Sequence, residues 1–156
     1  MIDGNWLAVR DGDPRAFALY RRHYSFKERP TTQRGAPNGR RIVGPSERMI
    51  LLTVDCAAVF AWIFPRVERR DHQRGVNCSL FRNESRIRSS DLIREACDLA
   101  WARWPGERLW TYVNPKKVTS PNAGYCFQCA DFERCGKSKN GLLIFERWPI
   151  RAEVAA

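Results

Sequence analysis

Short apolar runs separated by turn-forming residues predict a β-sheet in this chain. Residues 49–54 and 57–64 are continuous apolar runs, and Asp55-Cys56 between them suits a turn. Runs of this length predict buried strands, and their spacing predicts a β-hairpin that ends at Pro65. Three later segments predict further strands, at residues 75–81, 109–113 and 141–147.

One segment between these strands has clear helical spacing. Apolar residues recur every three or four positions from Ser90 to Trp104 and form a broad face. Ser89 or Ser90 can cap the start, Asp91 complements the helix dipole, and Pro105-Gly106 ends the helix. A second, shorter helical piece is predicted within residues 121–132.

The predicted elements run strand, strand, strand, helix, strand, helix, strand. A strand–helix–strand unit places its strands parallel with a right-handed crossover, whereas a hairpin pairs them antiparallel. With 156 residues, the chain has the usual length of one domain. We therefore expect a single α/β (α+β) domain, residues 1–156, in which helices flank a mixed sheet.

A strong positive charge is the first feature that bears on function. Lys and Arg number 27 against 17 Asp and Glu, which gives a formal net charge of +10, and most of the cations are Arg. The planar guanidinium group suits phosphate. Such a charge is typical of a DNA-binding domain, although an anionic cofactor or simple surface basicity also accounts for it.

Part of this charge lies on a predicted long loop, residues 29–46. The segment is rich in Pro, Gly and Arg and has little periodicity. Loops of this length inside a domain often have a function. Either the loop contacts phosphates through Arg34, Arg40 and Arg41, or it is an ordinary surface loop.

The chain offers no obvious export or membrane signal. Its first 17 residues lack a continuous apolar run, and the most apolar stretch, residues 49–64, is short for a membrane span and contains Asp55. We therefore expect a cytoplasmic protein that does not associate with membranes.

Six cysteines raise the question of disulfides or metal. In a chain of this size without a secretory context, free thiols are expected rather than disulfides. Cys126 and Cys129 form a CxxC, and Cys135 follows six residues later. This is half of a usual zinc signature, and the same helical spacing also suits simple packing.

The junction between the third strand and the main helix is a candidate anion site. Arg82, Arg86 and Arg88 precede a predicted helix start that carries two serines. Main-chain N–H groups at a helix start bind anions, so this junction suits a pyrophosphate or a nucleic-acid phosphate. An ordinary capped helix start is the alternative.

The strand order, this junction and the late segment from Asn122 to Phe132 together resemble the GNAT acyltransferases. In that family, the loop before the central helix cradles the pyrophosphate of acyl-CoA. Its pattern is Gln or Arg, two residues, Gly, one residue, then Gly or Ala. The corresponding residues here, from Arg86 to Asp91, contain neither glycine.

A closer resemblance is to the GNAT-like Mom proteins of phages. His23-Tyr24-Ser25 is similar to their His-Tyr-Ser element, and Asn83-Glu84-Ser85-Arg86 is similar to the element that precedes their central helix. A third similarity lies at residues 127–132, with Asp131 where the family has Gly. The resemblance spans residues 21–145 and implies a DNA-modifying transferase that converts the N6 amine of adenine to a carbamoylmethyl form in phage or prophage DNA, which protects that DNA against restriction.

The resemblance also implies where the site lies. The catalytic residues would be His23, Tyr24, Ser25, Glu84 and Tyr125. The donor would be held by Asn83, Ser85, Arg86, Arg88, Ser89 and Ser90. The donor itself stays open: acyl-CoA, or a related acyl or aminoacyl compound, with or without a metal ion.

These residue types suit chemistry on an exocyclic amine, which needs a base and a polarising contact on the electrophile. His23 can act as the base or bind a metal, or it is a buried structural histidine, and Glu84 is the alternative base. Tyr24 can stack on a base or act as an acid, and Tyr125 can protonate a leaving group where the aligned Phe127 cannot. Adenine must leave its duplex to react.

Two other functions are compatible with the same residues. One is an acyl-CoA-dependent N-acetyltransferase that acts on a small amine or a protein. The other is a DNA-binding module without catalysis.

Overall fold

The computed structural model describes residues 4–26, 41–44, 46–118 and 121–150. The strands are β1 (Trp6–Val9), β2 (Glu47–Thr53), β3 (Ala58–Phe64), β4 (Val76–Asn83), β5 (Leu109–Val113), β6 (Glu133–Lys137) and β7 (Leu143–Arg147). The helices are α1 (Pro14–Arg21), α2 (Ser89–Arg103) and α3 (Tyr125–Cys129).

The described strands form one mixed sheet in the order β1-β2-β3-β4-β5-β7-β6. β4 and β5 pair in parallel, with α2 as the crossover between them, and the other neighbours pair antiparallel. The mixed α+β class, the hairpin and the parallel pair are therefore confirmed.

Three elements lie where the sequence pattern predicted none. β1 has only four residues and α1 eight, so each is too short for a clear periodicity. Asp13 and Pro14 do mark the start of α1, because the Asp13 carboxylate accepts from the Arg15 amide at 2.9 Å. β6 is a polar edge strand whose side chains are mostly exposed, so its residues carry no apolar alternation.

Helices cover both faces of the sheet. On one face α2 packs against β1, β3 and β4, and the indoles of Trp6 and Trp62 donate to the main-chain oxygens of Leu92 and Ala96, each at 2.9 Å. On the other face, α1 packs its buried residues on β2, β3 and β4. The two indole bonds fix α2 against the sheet, because a buried donor without a partner costs about 1–3 kcal/mol.

α2 begins one residue earlier than predicted and has a different cap. Arg88 is the N-cap residue, and its side chain makes no capping hydrogen bond. Ser89 and Ser90 are the first helical residues, so the expectation that one of them caps the helix is wrong. The reason is local: the Ser89 hydroxyl accepts from the side chain of Asn83, which belongs to β4, at 3.0 Å.

All six cysteines are free thiols. Within the described ranges, no helix combines the length and the apolar character that crossing a membrane requires.

Candidate functional site

The sheet opens between its two parallel strands. β4 and β5 pair at only three positions, the last being Cys78 with Thr111. β4 continues to Asn83 and β5 to Val113 without further pairing between them. The two strands therefore separate toward their carboxyl ends, which is where ligand sites form in open sheets.

A β-bulge lies at the point of separation. Ala61 of β3 pairs with Leu80, and its neighbour Trp62 pairs with Cys78, so Ser79 has no partner residue on β3. Ser79 also lies beyond the last pair with β5. A bulge of this kind bends its strand and increases the local twist, which helps to turn β4 away from β5.

Two side chains hold the strands together just before they separate. The Thr111 hydroxyl donates to the Cys78 main-chain oxygen at 3.0 Å. The Asn77 side-chain amide donates to the Trp110 main-chain oxygen at 3.4 Å. Asn77 and Thr111 are both buried, so these bonds lie at the closed end of the opening.

The opening is a cleft of about 620 Å³. This volume lies within the usual range of about 300–1,000 Å³ for small-molecule sites. Residues from both faces of the sheet line it, since the space passes between the strands. They are His23, Tyr24 and Ser25 beyond α1, residues 77–81 of β4, residues 111–114 at the end of β5, then Lys117, Val118, Gly124, Cys126, Phe127 and Leu142.

The predicted His-Tyr-Ser element thus forms one wall of the cleft. It occupies the turn after α1, where the His23 amide donates to the Tyr20 oxygen at 2.9 Å. The Ser25 amide donates to His23 Nδ1 at 3.1 Å, and the Ser25 hydroxyl lies 2.7 Å from the same nitrogen. A main-chain amide can only donate, so Nδ1 is the unprotonated nitrogen and accepts the serine hydroxyl as well.

The His23 ring is neutral at physiological pH. Burial, together with the nearby Arg82 guanidinium, lowers the pKa of His23 to about 4. Tyr24 stacks on this ring, with 4.2 Å between ring centroids and 31° between planes. The Tyr24 hydroxyl accepts from the main-chain amide of Asn114, and burial raises the pKa of Tyr24.

Glu84 lies beside this element but does not line the cleft. Its carboxylate accepts from the Arg22 guanidinium at 2.8 and 2.9 Å and from Arg82 at 2.5 Å. Arg82 also donates to the Arg22 main-chain oxygen at 2.6 Å. These hydrogen bonds from Arg22 and Arg82 lower the pKa of Glu84 to about 2. The geometry favours an ionised carboxylate that holds the turn in place over a base that takes a proton.

The side chains of the predicted donor-binding junction are hydrogen-bonded to one another and to the neighbouring main chain. Asn83 Oδ1 accepts from the Ser85 amide at 2.9 Å and from the Ser85 hydroxyl at 2.5 Å. Asn83 Nδ2 donates to the Ile87 oxygen at 2.7 Å and to Ser89. Ser90 is buried. These side chains therefore form a closed loop structure.

The rest of the junction faces away from the cleft. The arginines Arg86 and Arg88 are exposed, and none of the six predicted donor-binding residues lines the cleft. The structure does not bring them together with the His-Tyr-Ser element.

Tyr125 also points elsewhere. It is 60% exposed, and its hydrogen bond with Cys129 raises its pKa. Its neighbours Cys126 and Phe127 line the cleft instead. Successive positions of a helix are about 100° apart, so one turn cannot present all three side chains to the same space.

The remaining candidates fall outside the cleft or outside the described residues. Arg34 and Arg40 lie outside the described residues, and Arg41 is half-buried near the β1 edge of the sheet. Across the described ranges, no group of three or more His, Cys, Asp and Glu side chains is placed to hold a metal ion. The CxxC and Cys135 therefore do not form a three-ligand cluster.

Sequence reasoning missed several residues that line the cleft. Ser79 contributes through a bulge, which leaves no signature in the sequence. Asn114 and Lys117 follow the carboxyl end of a parallel strand, and polar residues in that position are a usable signal for a site.

Comparisons with known proteins give no further guide to this site. No family model, no curated protein and no solved structure matches the chain significantly.

Proposed function

We propose that this chain is a Mom-like transferase with a GNAT-like fold that modifies the N6 amine of adenine in DNA. The observation that carries the proposal is the position of His23-Tyr24-Ser25. Three consecutive residues, selected from the sequence alone, line the cleft that opens where β4 and β5 separate. The His-Tyr-Ser motif of the sequence and the cleft of the fold therefore coincide.

The cleft supplies a route for the amine proton. When the exocyclic nitrogen forms its new bond to the donor carbon, the bond from that carbon to its leaving group breaks, the leaving group departs with the bonding pair, and the nitrogen loses a proton. The Ser25 hydroxyl can take that proton as it passes its own to His23 Nδ1, 2.7 Å away. The low pKa of His23 keeps its ring neutral and able to accept at neutral pH. The same low pKa makes it a weak base, so the proton moves as the new bond forms rather than before it.

The bulge offers the second requirement, a contact that polarises the electrophile. Ser79 lacks a partner on β3, and β5 has already separated from β4 at this position. A main-chain amide in such a place can donate to a carbonyl oxygen of the donor, as amides do in oxyanion holes. The donor class stays open between acyl-CoA and related acyl or aminoacyl compounds, and a metal ion stays possible.

The proposal also needs DNA and an extruded base. The net charge of +10 favours DNA over a neutral substrate. A base extruded from the duplex needs a flat surface against which to stack. Tyr24 is 40% exposed and stacks on His23, so its ring suits that role.

Mass spectrometry of nucleosides tests this function. Plasmid DNA is digested from cells that express the intact protein, its His23→Ala variant or its His72→Ala variant. His72 is the chain's other histidine, and its side chain is 80% exposed, so it serves as the matched control. We expect an adenosine adduct with the intact protein and with His72→Ala, and none with His23→Ala.

The other outcomes count against the proposal. An equal adduct from His23→Ala removes the assignment of the site. Unmodified nucleosides from a folded, DNA-binding protein, in the host that naturally carries it, favour the binding module instead.

A further inference from the structure

A second concave surface lies at the β1 edge of the sheet, away from the cleft between β4 and β5. This edge groove has a volume of about 1010 Å³. It is lined by residues 8–11 at the end of β1, residues 46–51 at the start of β2, and Trp6, Arg41, Arg66, Leu99 and Arg103. None of the cleft residues takes part in it.

The edge groove is strongly cationic. Five arginines line it (Arg10, Arg41, Arg48, Arg66 and Arg103) against two carboxylates, Asp11 and Glu47. Both carboxylates are engaged: the Asp11 side chain is fully buried, and Glu47 pairs with Arg103 at 3.8 Å. Within the described part of the chain, the side chains of Arg10 and Arg66 make no ion pair or hydrogen bond, and both residues are exposed. The groove therefore presents the guanidinium groups of Arg10 and Arg66 to an anionic ligand.

Hydrogen bonds hold the floor of the groove in place. The buried Asp11 carboxylate accepts from the main-chain amides of residues 42–44, at 2.6, 3.3 and 3.1 Å. Arg48 donates to the main-chain oxygens of Gly44 and Ser46, at 3.2 and 3.3 Å. These bonds fix the Arg48 side chain and the segment that includes Arg41 against the sheet.

We propose that the edge groove binds the sugar-phosphate backbone of duplex DNA beside the target adenine. The inference rests on the proposed function for its choice of DNA, and on the groove for where that DNA lies. Five arginines against one partly exposed carboxylate, Glu47, match a polyanion whose charges repeat at short intervals. Such contacts set orientation and affinity without reading sequence.

The order of the strands separates the two surfaces. The groove is lined by β1 and the start of β2, and the cleft by β4 and β5. β3 lies between β2 and β4, and two strand spacings amount to about 10 Å. The groove therefore contacts phosphates beside the modified base rather than the base itself.

The salt dependence of DNA binding tests this inference. Fluorescence anisotropy gives the affinity of the full chain for a labelled 30-base-pair duplex over a series of KCl concentrations. The test variant is Arg10→Gln/Arg66→Gln, and the matched control is Arg70→Gln/Arg134→Gln, which removes the same charge from exposed arginines outside the groove. Each lost phosphate contact reduces the slope of log affinity against log salt by about 0.9. We expect a reduction of about 1.8 in the groove variant and almost none in the control.

Equal slopes in the two variants overturn the inference, since they show that only the total charge matters. A groove variant that keeps the full slope with DNA but loses binding to phosphatidylserine vesicles overturns it in favour of a membrane surface. Nucleoside analysis of the same variants separates the two proposals. A slope difference without any adduct refutes only the transferase, and an adduct without a slope difference refutes only the groove.

Discussion

The turn at residues 22–26 and the junction at residues 83–90 invite comparison, because the sequence marks both as candidate sites. Both are short polar segments held by hydrogen bonds between neighbouring side chains and main chain. The turn still presents the Tyr24 ring and the Ser25 side chain to a cleft. In the junction, the side chains of Asn83, Ser85 and Ser89 are hydrogen-bonded to one another, and none of them lines the cleft.

This difference separates a segment that can contact a ligand in the cleft from one whose polar groups serve the fold. A side chain whose donors and acceptors are already satisfied must break those bonds to bind a ligand, at a cost of about 1 kcal/mol or more each. Both segments are rich in polar residues, so polarity alone cannot distinguish them. The position relative to the opening of the sheet does.

Among the residues that bind the base or position the site, the largest effect is expected from the aromatic ring in the turn. Tyr24→Ala removes the ring that stacks on His23, and base stacking on an aromatic side chain is worth about 1–3 kcal/mol. We expect the adduct yield to fall about 10- to 100-fold. Tyr125→Ala is the control, because Tyr125 is exposed outside the cleft, and its yield should change less than about twofold. Equal losses from both variants contradict the account.

A smaller effect is expected from Arg82, a positioning residue that joins the two regions. Arg82→Gln breaks its bond to the Arg22 main-chain oxygen and its pair with Glu84, so the turn loosens. We expect about a tenfold lower yield. The NMR-measured pKa of His23 should also rise from about 4, because a nearby cation is lost and the ring becomes more exposed.

The pH dependence of the adduct yield should shift in the same direction as the pKa of His23. In the intact protein, His23 stays neutral until the pH falls to about 4, so its capacity to accept a proton is kept throughout the neutral range. In Arg82→Gln, that capacity is lost at a higher pH. A His23 pKa that does not change would show that Arg82 does not act through this ring.

The smallest effect is expected from the junction, and it concerns stability alone. Asn83→Ala removes four hydrogen bonds that shape the approach to α2. We expect the free energy of unfolding in urea to fall by about 1–2 kcal/mol, with an unchanged adduct yield per folded protein. Arg86→Gln, at an exposed neighbour, should change neither quantity. An Asn83→Ala variant that is fully stable but inactive would show that the junction belongs to the site.

Elements with a strong apolar pattern could be predicted from the sequence, and the others could not. The α2 face and the β2–β3 hairpin consist largely of buried apolar residues, so the spacing of these residues in the sequence indicates a helix or a strand. β6 is an exposed edge strand whose register depends on β7, which a local pattern does not encode. For the same reason, the bulge at Ser79 could not be predicted, because it exists only as a shift in register between β3 and β4.

The candidate site divides in the same way. His23-Tyr24-Ser25 could be proposed from the sequence because the three residues are consecutive, and all three line the cleft. The resemblance implies Glu84 as the alternative base, from the element that precedes α2. The arginines that hold it are Arg22 and Arg82, and 62 positions separate Arg22 from Glu84. Long-range pairs of this kind decide the role of a carboxylate, and only the fold reveals them.

The most direct test of the central claim compares one serine from each region. Adenosine adducts are quantified by mass spectrometry after expression of Ser25→Ala or Ser89→Ala at equal levels of folded protein. The account predicts that Ser25→Ala abolishes the adduct, while Ser89→Ala keeps most of it. An active Ser25→Ala together with an inactive Ser89→Ala would contradict the account and place the chemistry at the start of α2.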